Sequence, residues 1–120
     1  MKHPRDQFLT VYGRKPVLEL LAQPHLSIAK VVLARKAKGD IIKQILAACE
    51  ERQVTVLRLE AEEVSRLSKH PKQDQGVAAD VHTPYMDDAL KALEGDLPER
   101  CAFLALDGIT TPANVGLIIR

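Results

Sequence analysis

Aromatic side chains are scarce in this chain: only Phe8, Tyr12, Tyr85 and Phe103 occur among 120 residues, and tryptophan is absent. The core therefore has to be built from Leu, Ile, Val and Ala. A recognition sheet paved with aromatics for base stacking is not expected. Cysteine is equally sparse. Cys49 falls on the apolar side of a helical pattern and Cys101 precedes an apolar run. Neither has a His or Cys nearby at metal-ligand spacing, so both are expected as buried thiols in a reducing cytosol. His3, His25, His70 and His82 are scattered without ligand spacing, and none is assigned to metal. No apolar run reaches membrane-spanning length, and the polar start Met1–Asp6 is followed by no apolar signal segment. A cytoplasmic protein with no membrane partner is the expectation. Internal repeats and low-complexity tracts are also missing.

What is present is globular in character. Hydrophobic residues make up 46% of the chain and charged residues 28%, a balance that argues against disorder. The net charge of +1 is unevenly spread. Residues 1–82 hold 14 Lys and Arg against 10 Asp and Glu, an excess of +4; residues 83–120 hold 3 against 6, or −3. A basic first part and an acidic second part suggest two functional units, although a mixed solvated surface accounts for the same numbers.

Along the chain, residues 1–11 read as polar and then mixed, poorly ordered at the start. Gly13-Arg14-Lys15-Pro16 opens a helix whose Val17, Leu18 and Leu21 share a face, ended by Gln23-Pro24. Ile28–Leu33 reads as a buried strand, followed by the basic loop Arg35-Lys36-Ala37-Lys38-Gly39. Asp40 is the expected N-cap of a helix with Ile41, Ile42, Ile45, Leu46 and Cys49 on one stripe. Val54–Leu59 is a second strand, Glu60–Ser68 a short helix with Val64 and Leu67 facing in, and Gln75–His82 a third strand. Residues 83–100 read as a linker holding one short helix, Asp87–Leu93. Phe103–Leu106 reads as a fourth strand and Pro112–Arg120 as a last helix. Alternation of this kind predicts an α/β fold with a mostly parallel sheet between helices. Because Leu117, Ile118 and Ile119 find no further segment to bury them, the chain is expected to be a fragment of a longer protein.

The segment from Leu104 to Arg120 is the most informative. It is strand, turn and helix, with Asp107-Gly108 at the strand's C-terminal end, where open α/β sheets place their sites. Gly116 inside the helix suggests close approach of another backbone. No Gly-Lys-Ser/Thr follows, so this is not a phosphate loop. By spacing alone it also reads as a plain strand–helix unit ending in an ordinary arginine. Leu106-Asp107-Gly108-Ile109, Pro112, Asn114-Val115-Gly116 and Arg120, however, resemble the first motif of SpoU-type (TrmH-like) RNA 2′-O-ribose methyltransferases. Val11-Tyr12-Gly13-Arg14-Lys15-Pro16-Val17-Leu18-Glu19 resembles the opening of that family's substrate-binding domain, and Gln75-Gly76-Val77-Ala78-Ala79 its last strand. The three matches fall in the right order over nearly the whole chain. One departure is Lys72-Gln73-Asp74, where relatives often carry Asn-His.

The resemblance implies a three-layer α/β/α sandwich like that of small ribosomal RNA-binding proteins for residues 1–82. It implies a linker over 83–100, and the start of a knotted SPOUT methyltransferase domain, truncated here, over 101–120. It implies methyl transfer from S-adenosylmethionine to a ribose 2′-hydroxyl of ribosomal or transfer RNA by a full-length enzyme that dimerises through its catalytic domain. Later motifs build the cofactor pocket, so this fragment is expected to contain no cofactor-binding residue and to be inactive alone. Arg120 corresponds to the family's catalytic arginine. A guanidinium stays protonated at neutral pH, which favours phosphate binding and alkoxide stabilisation over a role as base. Asn114 is expected to hold backbone at the knot and dimer interface. Candidate RNA contacts are Arg14 and Lys15, then Arg35, Lys36 and Lys38, then Lys69 and Lys72. All are point charges suited to phosphate and shape, and each also reads as part of a solvated face. A second reading is a stand-alone RNA-binding module of the ribosomal-protein type without catalysis. A third, a small-molecule α/β domain, has no ligand motif behind it.

Overall fold

Five residues near the start, Phe8–Tyr12, form strand β1, which the polar opening of the chain conceals. The computed structural model describes residues 7–83 and 89–120. The expected disorder of residues 1–6 lies outside that range. The other elements follow as helix α1 (Arg14–Leu21), β2 (Ile28–Ala34), α2 (Asp40–Arg52), β3 (Thr55–Leu59), α3 (Ala61–Ser68), β4 (Val77–His82), α4 (Ala89–Glu94) and α5 (Pro112–Ile119). Among the described residues this is a mixed α/β fold with one four-stranded sheet and five helices.

The sheet order is β1-β4-β2-β3. Only β2 and β3 run parallel, joined through α2, with Lys30 opposite Thr55 and Ala34 opposite Leu59. β4 inserts between β1 and β2 and is antiparallel to both. The expectation of a mostly parallel sheet is therefore corrected to a mixed one. The reason lies in α3. It starts after Leu59 at one end of the sheet, and its eight residues give it roughly 12 Å of length. The residue pair just beyond it, His70 stacked on Tyr12 with ring centroids 4.6 Å apart, is back at the same end. The helix thus crosses the strands instead of running their length, and β4 has to leave from the end at which β3 arrived.

Helix α2 obeys its expected stripe, with Ile42, Ile45 and Cys49 buried, but Asp40 is not the cap. Gly39 takes that position at φ 121°, and Asp40 sits in the first turn, where its charge complements the helix dipole. The helix stops at Gln53 in the left-handed conformation. Arg52 extends from its last turn to donate to the backbone carbonyls of Leu21 (3.0 Å) and Leu26 (2.6 Å), tying the end of α1 to α2. In α3 a reciprocal capping box joins Glu60 and Glu63.

Residues opposite one another on paired strands share a face. Val31 and Leu33 therefore lie with Ala79 and Val77, while Val32 lies with Ala78 on the other side. All six are buried, so both faces are covered at the centre. Further along the second face comes a polar row across three strands. Thr10 Oγ1 donates to Asp80 Oδ1 at 2.8 Å, and Lys30 Nζ lies 3.7 Å from Asp80 Oδ2.

The chain divides between Met86 and Asp87 into two units. In the second, α5 forms with Pro112 at its first turn as expected. Residues 103–106 are not a strand. A strand needs a partner for its backbone, and the described part of this unit contains no other. Apart from its own helix, no described atom lies within 4 Å of where a Cβ on Gly116 would stand, so among the described residues no other backbone approaches it closely. Cys101 is exposed, against expectation, and so is the apolar run it precedes; Cys49 is buried. The short helix expected over Asp87–Leu93 is described only as α4, residues 87 and 88 lying outside the described range. No helix among the described residues is long and apolar enough to cross a membrane.

Candidate RNA interface

The mixed topology has a direct consequence for the basic loops. Tyr12 pairs with Ala78, Leu33 with Val77 and Ala34 with Leu59. The ends of β1, β2 and β3 and the start of β4 therefore meet at one end of the sheet. The connections 13–16, 35–39 and 69–76 all leave from there. They carry Arg14 and Lys15, Arg35, Lys36 and Lys38, and Lys69 and Lys72. The topology thus brings together all seven cations that the sequence marks, from three separate stretches.

Arg14 does more than carry charge. Its Nη1 donates to the Lys38 carbonyl at 2.9 Å and its Nε to the Gln75 carbonyl at 3.3 Å, while Gln75 Oε1 accepts from the Arg14 backbone N–H at 3.1 Å. Arg14 therefore bolts the 35–39 loop to the 69–76 loop. Arg58 Nη1 supports the first of these by donating to the carbonyls of Ala34 and Ala37. Lys15, Lys36, Lys38, Lys69 and Lys72 are exposed. Arg35 makes an exposed ion pair with Glu60 at 2.9 Å. Such pairs are worth about 0–1 kcal/mol, so a phosphate competes for Arg35 at little cost.

The 69–76 loop is fixed from inside. Asp74 is only 4% exposed. One carboxylate oxygen accepts from the hydroxyls of Ser65 (3.0 Å) and Ser68 (2.7 Å), the other from the Gly76 backbone N–H (2.9 Å). Gly76 has φ 74°, and a Cβ there would stand 3.0 Å from the Ala34 Cβ. Its carbonyl accepts from the Ala34 N–H, and the next carbonyl, of Val77, accepts from the Gly13 N–H. Lys69 and Lys72 thus project from a loop whose backbone is held at both ends. Sequence reading missed Asp74, Ser65, Ser68, Gln75 and the Tyr12–His70 stack. The one available signal was Asp-x-Gly, the pattern of a side chain capping the N–H two residues on. A recess of about 420 Å³ opens at this end between Tyr12, Arg14, Lys15, Ile41, Gln73 and Gln75.

Elsewhere, burial pushes the Cys49 thiol above its usual range, with Arg52 pulling partly the other way. This makes it a poor nucleophile. No group of His, Cys, Asp or Glu among the described residues could hold a metal ion. In the second unit a cleft of about 490 Å³ is lined by Gly108, Ile109, Thr110, Thr111, Asn114, Leu117 and Ile118. Arg120, which is exposed, does not line it. Asn114 lines this cleft and Arg120 follows at the end of the same helix. Among the described residues no charged side chain lines this cleft.

The mixed α/β domain thus presents seven cations on three loops at one end of its sheet. Comparison with known proteins gives that domain a family. Residues 10–86 match the family described as RNA 2′-O ribose methyltransferase substrate binding, and the chain belongs to this SpoU-type family. It is 30% identical over 115 residues to an "Uncharacterized tRNA/rRNA methyltransferase" of Mycolicibacterium paratuberculosis (strain ATCC BAA-968 / K-10), covering 92% of this chain and 36% of that protein. A protein of the same name from Mycobacterium avium (strain 104) is 30% identical over the same length and coverage. One from Mycolicibacterium smegmatis is 29% identical over 119 residues, 96% of this chain and 37% of that protein. The chain therefore spans little more than a third of the length of the curated relatives it matches.

Proposed function

We propose that residues 1–82 grip an RNA substrate through the cationic end of the sheet, on behalf of a longer enzyme that methylates ribose 2′-hydroxyls in ribosomal or transfer RNA. The observation that carries this reading is the convergence of Arg14, Lys15, Arg35, Lys36, Lys38, Lys69 and Lys72 at the loop end of a substrate-binding-family fold. Phosphates are the complementary partner of such a cluster, and its rigid backbone suits recognition of RNA shape rather than of sequence. The packing of α3 on one face of the sheet, with α1 and α2 covering the other, supports a three-layer sandwich. In this reading 83–100 is a linker and 101–120 begins the SPOUT domain, through which the enzyme dimerises in the cytoplasm. S-adenosylmethionine supplies the methyl group, and no residue of this chain is assigned to holding it. Arg120 binds the phosphate beside the reacting ribose and Asn114 holds backbone nearby.

The test is methyl transfer to ribosomal and transfer RNA by the longer protein, read as alkali-resistant dinucleotides, since a methylated 2′-oxygen can no longer attack the adjacent phosphodiester. The expected result is resistant product from the longer protein and none from the 120-residue chain. RNA binding by the longer protein without any transfer would favour the stand-alone binding module.

A further inference from the structure

A second recess lies between α3 and the edge of the sheet. It is a cleft of about 350 Å³ lined by Phe8, Thr10, Arg66, Leu67, Lys69 and Asp80. That volume is within the range of small-ligand sites, roughly 300–1,000 Å³. Its composition is unusual for a sheet face. Asp80 stands in the polar row, with one oxygen accepting from Thr10 and the other facing Lys30. An ionised carboxylate has about four acceptor positions, so each oxygen retains one for a further donor. Phe8 gives an apolar π surface, tilted against His82 with ring centroids 4.6 Å apart. Arg66 and Lys69 are exposed and stand at the rim of the same cleft. Lys69 also opens the 69–76 loop, so the cleft is continuous with the cationic end.

We propose that this cleft is a subsite for one unstacked guanine nucleotide of a single-stranded RNA segment, resting on the reading of the chain as an RNA-binding domain. The chemistry selects the base. Two adjacent acceptors on one carboxylate match the N1–H and N2–H₂ donors on the Watson–Crick edge of guanine. Adenine offers a single amino group there beside an acceptor nitrogen that the carboxylate repels. Phe8 packs against the base, and Arg66 and Lys69 take the flanking phosphates. Single-stranded RNA is commonly read in this way, through the Watson–Crick edge and a stacking side chain. The cationic end then supplies affinity, and Asp80 supplies preference.

The experiment measures binding of the 120-residue chain to two RNA octamers, all-adenylate and all-adenylate with one central guanylate. Asp80→Asn keeps an acceptor for Thr10 but turns a donor toward guanine; Arg66→Ala removes an exposed cation without touching the core. The wild-type chain is expected to prefer the guanylate octamer by roughly tenfold, the discrimination of one good bidentate pair. Asp80→Asn reduces this ratio to less than about twofold, weakening guanylate binding and relieving the repulsion of adenine. Arg66→Ala weakens both octamers alike. Equal binding of both octamers by the wild type, or an undiminished ratio in Asp80→Asn, overturns the subsite while leaving the RNA reading in place. Failure of the wild type to bind either octamer or folded ribosomal and transfer RNA overturns both.

Discussion

Replacing Gly76 by Ala forces a side chain into a left-handed backbone and against the Ala34 Cβ at 3.0 Å. The expected cost is about 2 kcal/mol, measured by chemical denaturation. Asp74→Ala removes the acceptor of two hydroxyls and one backbone N–H in a site closed to water. It should destabilise by roughly 2–4 kcal/mol, and Asp74→Asn by less, because hydrogen bonds to a buried charge are worth about 1.5–3 kcal/mol each and are not additive. No loss in Asp74→Ala would mean that the loop is held by its backbone alone. The two thiols should separate just as clearly. At pH 8 a thiol reagent should modify exposed Cys101 quickly and reach buried Cys49 only on unfolding. Because burial raises the Cys49 pKa, its contribution to stability is complete below the ordinary thiol value, about 8.5, and is lost as pH rises from there toward the raised value. Among these residues only Gly76 and the cysteines stood out in the sequence. Asp74 is a polar residue in a polar loop, set apart from the exposed Gln73 and Gln75 beside it only by its spacing to Gly76. Its role exists only once Ser65 and Ser68 are wound onto one turn of α3 beside it.

At the level of elements, the helices were legible because each carries its own evidence: an apolar stripe at a period of 3.6 residues and a marked start. Val17 and Leu21, Ile42, Ile45 and Cys49, and Val64 are buried where that period puts them. Strands depend on partners that the local sequence does not show. β1 exists because β4, some 70 positions later, lies beside it, whereas residues 103–106 have comparable β-propensity and no partner among the described residues. The direction of β4 was equally hidden, since it follows from α3 crossing the sheet rather than from any residue within β4. The cations of the candidate interface were legible as residue types in loops; their convergence was not, because it depends on that same strand direction. Arg52→Ala tests the coupling of elements. Loss of its bonds to the carbonyls of Leu21 and Leu26 should cost roughly 1–3 kcal/mol without altering RNA affinity.

For the molecule as a whole, the division near residue 86 predicts where proteolysis begins. α4 has six residues and buries none of them, so trypsin should cut after Lys91 or Arg100 well before Lys43, Arg52 or Arg58. Early cutting inside Ile28–Leu59 would contradict the view that the first unit holds the stable core. In the proposed longer enzyme the two ends of this chain have separable duties. Arg120→Lys keeps the charge but loses the planar fork, and methyl transfer should fall roughly 10²- to 10³-fold, the loss expected for one preorganised donor, with RNA affinity little changed. The measurement that tests the account most directly is the salt dependence of RNA binding by this chain and by its Arg35→Ala, Lys36→Ala, Lys38→Ala triple variant. Each lost phosphate contact lowers the slope of log K against log salt by about 0.7–0.9. The wild type should bind with a steep slope, and the variant should bind more weakly with a slope shallower by roughly two units. An identical slope and affinity in the two proteins would contradict the assignment of the sheet's cationic end as the surface that holds RNA.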